Sequence, residues 1–110
     1  MAILNIPIKS GAASWTQRMT LDGVSYTLDF AWNGREGAWY LGVLDATGAP
    51  LVLGRKIVTN RPLLKRVRFI AGLPAGDFFA SDPSGQIEYA GFDELGSAVP
   101  LYYFEKVELA

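Results

Sequence analysis

The side chains of this chain that could carry out acid–base chemistry are carboxylates and lysines, because the sequence has no histidine and no cysteine. This composition excludes Ser-His-Asp triads, cysteine nucleophiles and the usual zinc ligands. The one adjacent acid pair, Asp93-Glu94, lies in a predicted loop, and Glu88 or Asp82 could supply a facing carboxylate. A glycosidase needs two carboxylates about 5–10 Å apart across a cleft. We interpret these acids as surface residues and predict no catalytic residue, no cofactor and no metal ligand.

A group of basic residues is the strongest candidate for a binding surface. Six of the ten Lys and Arg residues fall between Arg55 and Arg68, a segment without any acid. They are Arg55, Lys56, Arg61, Lys65, Arg66 and Arg68. The chain after Phe69 carries seven acids and one base, and the net charge is −1. This asymmetry predicts complementary faces, either within one fold or between copies of the chain.

The basic segment has three possible roles. Nucleic-acid binding is disfavoured, because it normally needs a net positive charge and interleaved aromatic residues. An ionic contact between subunits is the functional alternative. A solvated strand edge, on which charges block unwanted pairing, is the structural alternative.

Three tryptophans could form a platform for a sugar ring. Trp32 and Trp39 lie in strongly patterned predicted strands, so a role in the core or in an interface is favoured for them. Trp15 lies nearer the N-terminus, and a carbohydrate- or ligand-binding module that uses Trp15 stays an alternative. The glycines of residues 72–76 match no phosphate-binding loop, and we interpret them as turn residues.

The elements that must position these residues are predicted to be strands. Residues 24–33 alternate strictly between apolar and polar, and Asp22-Gly23 before them is a common hairpin turn. Residues 38–45 are apolar on both faces, with Trp39, Leu41 and Val43 on one of them. Such a strand is central in a sandwich or barrel, or is covered by a partner.

The rest of the chain continues this rhythm of short strands and turns. Further strands are predicted near Ile3–Ile8, at 13–21, from Pro50, at 57–60, at 77–81 and at 100–109. One helical turn near Pro62–Arg66 is expected to run into another strand. The pattern predicts an all-β, single-domain antiparallel barrel or sandwich of about eight short strands over residues 1–110. Apolar runs are too short for a membrane helix, and the N-terminus lacks the features of a secretory signal.

The order of several weak motifs along the chain resembles one known family. They are the ILNIPI strand, Trp15 with Gln17, Leu21-x-Gly23-x-x-Tyr26-x-Leu28, Trp32-Asn33, Trp39-x-Leu41, Leu44-Asp45-x-x-Gly48, Gly54, Leu63-Leu64, Phe92-Asp93-Glu94-Leu95-Gly96 and Leu101-Tyr102-Tyr103. In this order and spacing the chain resembles the baseplate plug family of contractile-tailed phages and prophages. The tail after Tyr103 is longer than that family leads us to expect.

The resemblance implies a non-enzymatic structural protein at the distal end of a phage tail tube, which closes or joins the channel. Its implied partners are other tail and baseplate proteins such as hub and tube, with a homo-oligomer as a further possibility and no membrane insertion. Its implied location is the virion, after synthesis in the bacterial cytoplasm. Two other hypotheses stay open beside it: a carbohydrate- or ligand-binding module, and a small carboxylate-dependent hydrolase.

Overall fold

The structure, a computed structural model, describes residues 3–9, 11–67, 70, 72–74 and 76–105, except for the side chain of Arg66. These residues form two antiparallel sheets with seven strands, which confirms the all-β prediction with seven strands instead of about eight. The strands are β1 (Ile3–Asn5), β2 (Ser14–Leu21), β3 (Val24–Asn33), β4 (Ala38–Asp45), β5 (Pro50–Lys56), β6 (Asp77–Ala80) and β7 (Leu101–Phe104). The expected helical turn is a single 3₁₀ turn at Lys65–Val67.

The larger sheet has the strand order β2-β3-β4-β5. The turn between β2 and β3 is formed by Asp22 and Gly23, whose φ angles are 52° and 79°. Both residue types tolerate the left-handed conformation that a tight hairpin needs, so the turn forms where the sequence predicted it. The hairpin register places Trp15 opposite Phe30 and Leu21 opposite Val24.

The alternation in β3 predicts its buried face, with one exception. Tyr26, Leu28 and Phe30 are buried, whereas Val24 is 52% exposed. The register explains this difference, because β4 ends opposite Tyr26 and leaves Val24 with a neighbouring strand on one side only.

Strand β4 is apolar on both faces because it is central. Its inner face carries Trp39, Leu41 and Val43, all of which are buried. On its outer face the β5 side chain of Leu53 lies over Gly42, where an added Cβ would come within 2.9 Å of a Leu53 methyl carbon. The central position predicted for this strand is therefore confirmed.

The smaller sheet has the order β1-β7-β6, and its buried residues join those of the larger sheet in one core. Tyr103 in β7 connects the two sheets through its hydroxyl group. This hydroxyl accepts a hydrogen bond from the Gly76 amide (2.7 Å) and donates one to the carboxylate of Asp22 in the β2–β3 turn. Burial raises the pKa of Tyr103 well above its usual range, and the hydrogen bond to Asp22 adds to this effect.

The strand predicted at 57–60 does not form, and the prediction is wrong because this segment crosses between the sheets. The Ile57 amide donates to the Trp39 carbonyl of β4 (2.8 Å), whereas the Asn60 amide donates to the Ala80 carbonyl of β6 (2.7 Å). The Asn60 φ of 59° turns the chain between these partners. Residues 57–63 therefore lie along the edges of both sheets and connect them.

Candidate functional site

A bulge in β5 sets the direction of the first two basic side chains. Val52 lies opposite Val43 and Arg55 opposite Leu41, so three steps along β5 match two along β4. Gly54 takes up the extra residue with a φ of 71°. As a result Arg55 lies on the core side of the sheet, at its edge, and Lys56 lies opposite Tyr40 on the outer side.

The chain then folds back, and four of the six predicted interface residues line one cleft of about 740 Å³. Its lining is Gly54, Arg55, Lys56, Val58, Arg61, Pro62, Leu63 and Lys65. The two remaining candidates are not part of this description, because Arg68 and the side chain of Arg66 lie outside the described residues. We call this concave surface the basic cleft.

Lys56 is the basic residue of the cleft that forms an ion pair within the described part of the chain. Its ammonium lies 3.1 Å from the Glu36 carboxylate and 4.1 Å from the centre of the Tyr89 ring. The Tyr40 hydroxyl also donates to Glu36. The hydrogen bond from Tyr40, and to a smaller extent that from Lys56, lowers the pKa of Glu36. The bond to Glu36 in turn raises the pKa of Lys56.

The other three cations of the cleft have no acidic partner among the described residues. The Nε of Arg55 donates to the Leu63 carbonyl (3.2 Å), which fixes the half-buried side chain against the segment opposite. Arg61 and Lys65 are exposed. None of the three forms an ion pair with any residue in the described part of the chain. The charge of the cleft is therefore open to solvent and to a partner.

Two of the acids after Phe69, Asp77 and Asp82, hold backbone amides within the fold. Asp77 accepts hydrogen bonds from the Leu64 and Phe78 amides (2.8 and 2.7 Å). Asp82 accepts from the Ile87 amide (2.7 Å) and from the Ser84 hydroxyl (2.8 Å). The bond from the Ile87 amide, followed by that from the Ser84 hydroxyl, lowers the pKa of Asp82.

The acid pair Asp93-Glu94 does not build a two-carboxylate site. Glu94 accepts a hydrogen bond from the Gly91 amide (2.6 Å), so its carboxylate stabilises the loop. A small concavity of about 150 Å³ lies beside this loop, and Asp93 is the one acid among the described residues that line it. A mechanism with two carboxylates facing each other across this concavity is therefore not supported.

The three tryptophans pack together with two phenylalanines in what we call the aromatic cluster: Trp15, Phe30, Trp32, Trp39 and Phe92. Trp15 stacks on Phe30 with ring centres 4.8 Å apart, and Phe92 stacks on Trp39 at 5.7 Å. The indole N–H of Trp39 donates to the Gly91 carbonyl (3.2 Å), and that of Trp15 donates to Gln17 (2.7 Å). Because Trp15 uses a ring face for packing, a sugar-stacking role is not favoured.

Sequence reasoning found the charges of the cleft but missed two of its features. It did not pair Lys56 with Glu36, which lies in the turn before β4 and meets Lys56 through the β4–β5 register. It also missed the apolar floor that Val58, Pro62 and Leu63 give the cleft. The Pro62-Leu63-Leu64 run was the available signal, because apolar residues within a charged segment favour a partly covered position.

Two classes of site are absent from the described residues. In these ranges no three Asp or Glu side chains lie close enough together to hold a metal ion. The same part of the chain contains no helix with the length and apolar character needed to cross a membrane.

Comparison with known proteins identifies the family. A family model described as "Cyanophage baseplate Pam3 plug gp18" matches residues 3–106 of the 110. The chain belongs to this family. The match covers all seven strands and the basic cleft, and it confirms the resemblance stated from the sequence motifs. No curated protein matches the chain.

Proposed function

We propose that this chain is a non-enzymatic structural protein of a phage tail baseplate, folded as a single β domain. It closes or joins the distal end of the tail tube through contacts with neighbouring hub and tube proteins. The observation that carries the proposal is the match of residues 3–106 to a baseplate plug family. The virion is its place of action, after synthesis in the cytoplasm of the bacterial host.

The distribution of polar groups supports a binding role over a catalytic one. The acids Asp77, Asp82 and Glu94 hold backbone amides, and Glu36 holds Lys56. The cations Arg55, Arg61 and Lys65 have no acidic partner in the described part of the chain. Charged groups that the fold does not use are expected at a contact with another protein, where they set orientation and specificity.

The proposal is tested by locating the protein in tails. A tagged copy is expressed in a phage or prophage that lacks its own copy, and tails are purified and labelled through the tag. The expected result is a fixed amount of the protein per tail, with the label at the distal end of the tube. Absence from purified tails, or label along the shaft or at the head end, would contradict the proposed function.

The contribution of the basic residues is tested by charge reversal in the same tails. Arg61→Glu with Lys65→Glu is expected to lower incorporation, because both side chains are exposed in the cleft. The matched control is Arg18→Glu with Arg35→Glu, which makes the same change of charge at exposed positions outside the cleft. Equal incorporation of the two double variants would show that the cleft is not the contact.

A further inference from the structure

We propose that the basic cleft binds an extended acidic and aliphatic segment of another baseplate protein. This inference rests on the proposed function and deepens it, because it assigns the chemistry of the partner. Three independent features of the cleft support it: unpaired charge, an apolar floor and an exposed strand edge.

The charge of the cleft selects an anionic partner. Three of its cations form no ion pair among the described residues, and Glu36, the carboxylate that pairs with Lys56 of the cleft, also accepts a hydrogen bond from Tyr40. The partner charges are therefore expected to meet Arg55, Arg61 and Lys65, and not Lys56. Arg55 is held by the Leu63 carbonyl, so less of its side-chain freedom remains to be lost on binding.

The floor of the cleft selects a partner that is not purely ionic. Its apolar lining residues are Val58, which is half-buried, Pro62, which is exposed, and Leu63, which is almost fully buried. An aliphatic side chain placed there removes apolar surface from water, which stabilises by about 25 cal/mol per Å². A segment that alternates acidic and aliphatic residues provides both kinds of contact. Its extended form puts successive side chains on opposite sides.

The edge of the larger sheet supplies a backbone for an extended segment. Strand β5 is the last strand of that sheet, and its residues Gly54–Lys56 line the cleft. Gly54 is exposed, and no atom lies within 4 Å of where its Cβ would be, so no neighbouring side chain fills that space. Peptides commonly bind by adding a strand to such an edge, where main-chain hydrogen bonds give affinity and side-chain contacts give specificity.

A protein segment is favoured over nucleic acid. The chain has a net charge of −1, and nucleic-acid surfaces are strongly basic with aromatic residues on which bases stack. The described lining of this cleft contains no aromatic residue. Tyr89 beside it is covered by Lys56.

The inference is tested with fluorescein-labelled peptides and the complete chain in fluorescence anisotropy. The probes are a Glu-Val repeat of about ten residues, a Glu-Ser repeat and a Lys-Val repeat of the same length, and a single-stranded oligonucleotide of about ten bases. The Glu-Val peptide is expected to bind most tightly, the Glu-Ser peptide more weakly and the Lys-Val peptide not at all. Its binding is expected to weaken as salt is raised, because exposed charges are screened.

Cleft variants show where the peptide binds. Arg61→Ala with Lys65→Ala is expected to weaken Glu-Val binding about tenfold, because exposed ion pairs contribute up to about 1 kcal/mol each. The control, Arg18→Ala with Arg35→Ala, removes the same charge outside the cleft and is expected to bind like the wild type. Equal losses in both variants, or tighter binding of the oligonucleotide than of the Glu-Val peptide, would overturn the inference. Equal binding of Glu-Ser and Glu-Val would overturn the aliphatic contact.

The two proposals fail separately. If wild-type protein is found at the tail tip but binds no acidic peptide, the cleft inference is wrong and the baseplate assignment stands. If it binds the peptide through the cleft but is absent from tails, the baseplate assignment is wrong, and with it the identity of the partner.

Discussion

The aromatic cluster around Trp39 and the basic cleft beside Arg55 lie on neighbouring strands but use their side chains in opposite ways. In the cluster, Trp39 packs on Phe92 and its indole N–H reaches the Gly91 carbonyl. In the cleft, Arg61 and Lys65 are exposed and meet no acid in the described chain. In the sequence, both groups were candidates for binding. The structure separates them, because the aromatic rings already have partners within the fold and the two cations have none among the described residues.

The contrast between the aromatic cluster and the basic cleft separates side chains that stabilise the fold from side chains that are available for binding. A side chain whose ring faces or polar atoms are all occupied contributes to stability. A charged side chain without a partner contributes little to stability and is available for binding. The comparison therefore predicts large stability effects in the cluster and at Tyr103, and almost none in the cleft.

The largest expected effect is in the aromatic cluster. Trp39→Ala is expected to lower the free energy of unfolding by about 3–5 kcal/mol, because it removes a large buried side chain and leaves a cavity. Trp39 is 2% exposed and contacts Trp15, Trp32 and Phe92. Urea denaturation monitored by circular dichroism measures the change. Trp32→Phe, which keeps an aromatic ring at a half-buried position, is the control and is expected to cost clearly less than Trp39→Ala.

The next effect is at the hydroxyl that connects the sheets. Tyr103→Phe is expected to cost about 1–3 kcal/mol, because it removes the buried hydroxyl that bonds to both the Gly76 amide and the Asp22 carboxylate. The raised pKa of Tyr103 adds a pH test. Its neutral form is favoured in the folded state, so wild-type stability is expected to fall as the pH rises above about 10. The variant loses this contribution, and Tyr102→Phe, which keeps the Tyr103 hydroxyl, retains it.

A smaller effect, which depends on pH, is expected at Asp82. The hydrogen bond from the Ile87 amide lowers the pKa of Asp82. The ionised carboxylate of Asp82 therefore stabilises the fold above about pH 4. This contribution is lost as the pH falls through the pKa that Asp82 has in the folded state. Asp82→Asn should therefore be less stable at neutral pH and lose less stability on acidification. Urea midpoints at several pH values measure this. The control, Ser84→Ala, keeps the Ile87 bond and should retain most of the wild-type dependence of the urea midpoint on pH. The same dependence in Asp82→Asn as in the wild type would contradict the prediction.

The smallest effect is expected in the cleft. Arg61→Glu with Lys65→Glu is expected to change the free energy of unfolding by less than about 0.5 kcal/mol, because surface substitutions without special contacts are nearly neutral. The same urea series measures it, with Arg18→Glu and Arg35→Glu as the matched pair. A loss comparable to that of Tyr103→Phe would break the comparison, since the cleft would then belong to the scaffold.

Local patterns predicted most of the larger sheet. The alternation in β3, the Asp22-Gly23 turn and the doubly apolar β4 all depend on neighbours within a few residues, and each forms as expected. The prediction at 57–60 was wrong because its hydrogen-bond partners, Trp39 and Ala80, are distant in sequence and lie in different sheets. No local pattern carries that information.

The residue pattern was enough to predict the all-β class and the main strands, and the composition showed the lack of histidine and cysteine and the concentration of positive charge between Arg55 and Arg68. Which of these charges are paired among the described residues depends on the folded structure. Lys56 is neutralised by Glu36, while Arg55, Arg61 and Lys65 meet in one cleft with an apolar floor. The reason is physical: ion pairing and burial depend on distances between atoms, and a bulge at Gly54 and a crossing segment set those distances.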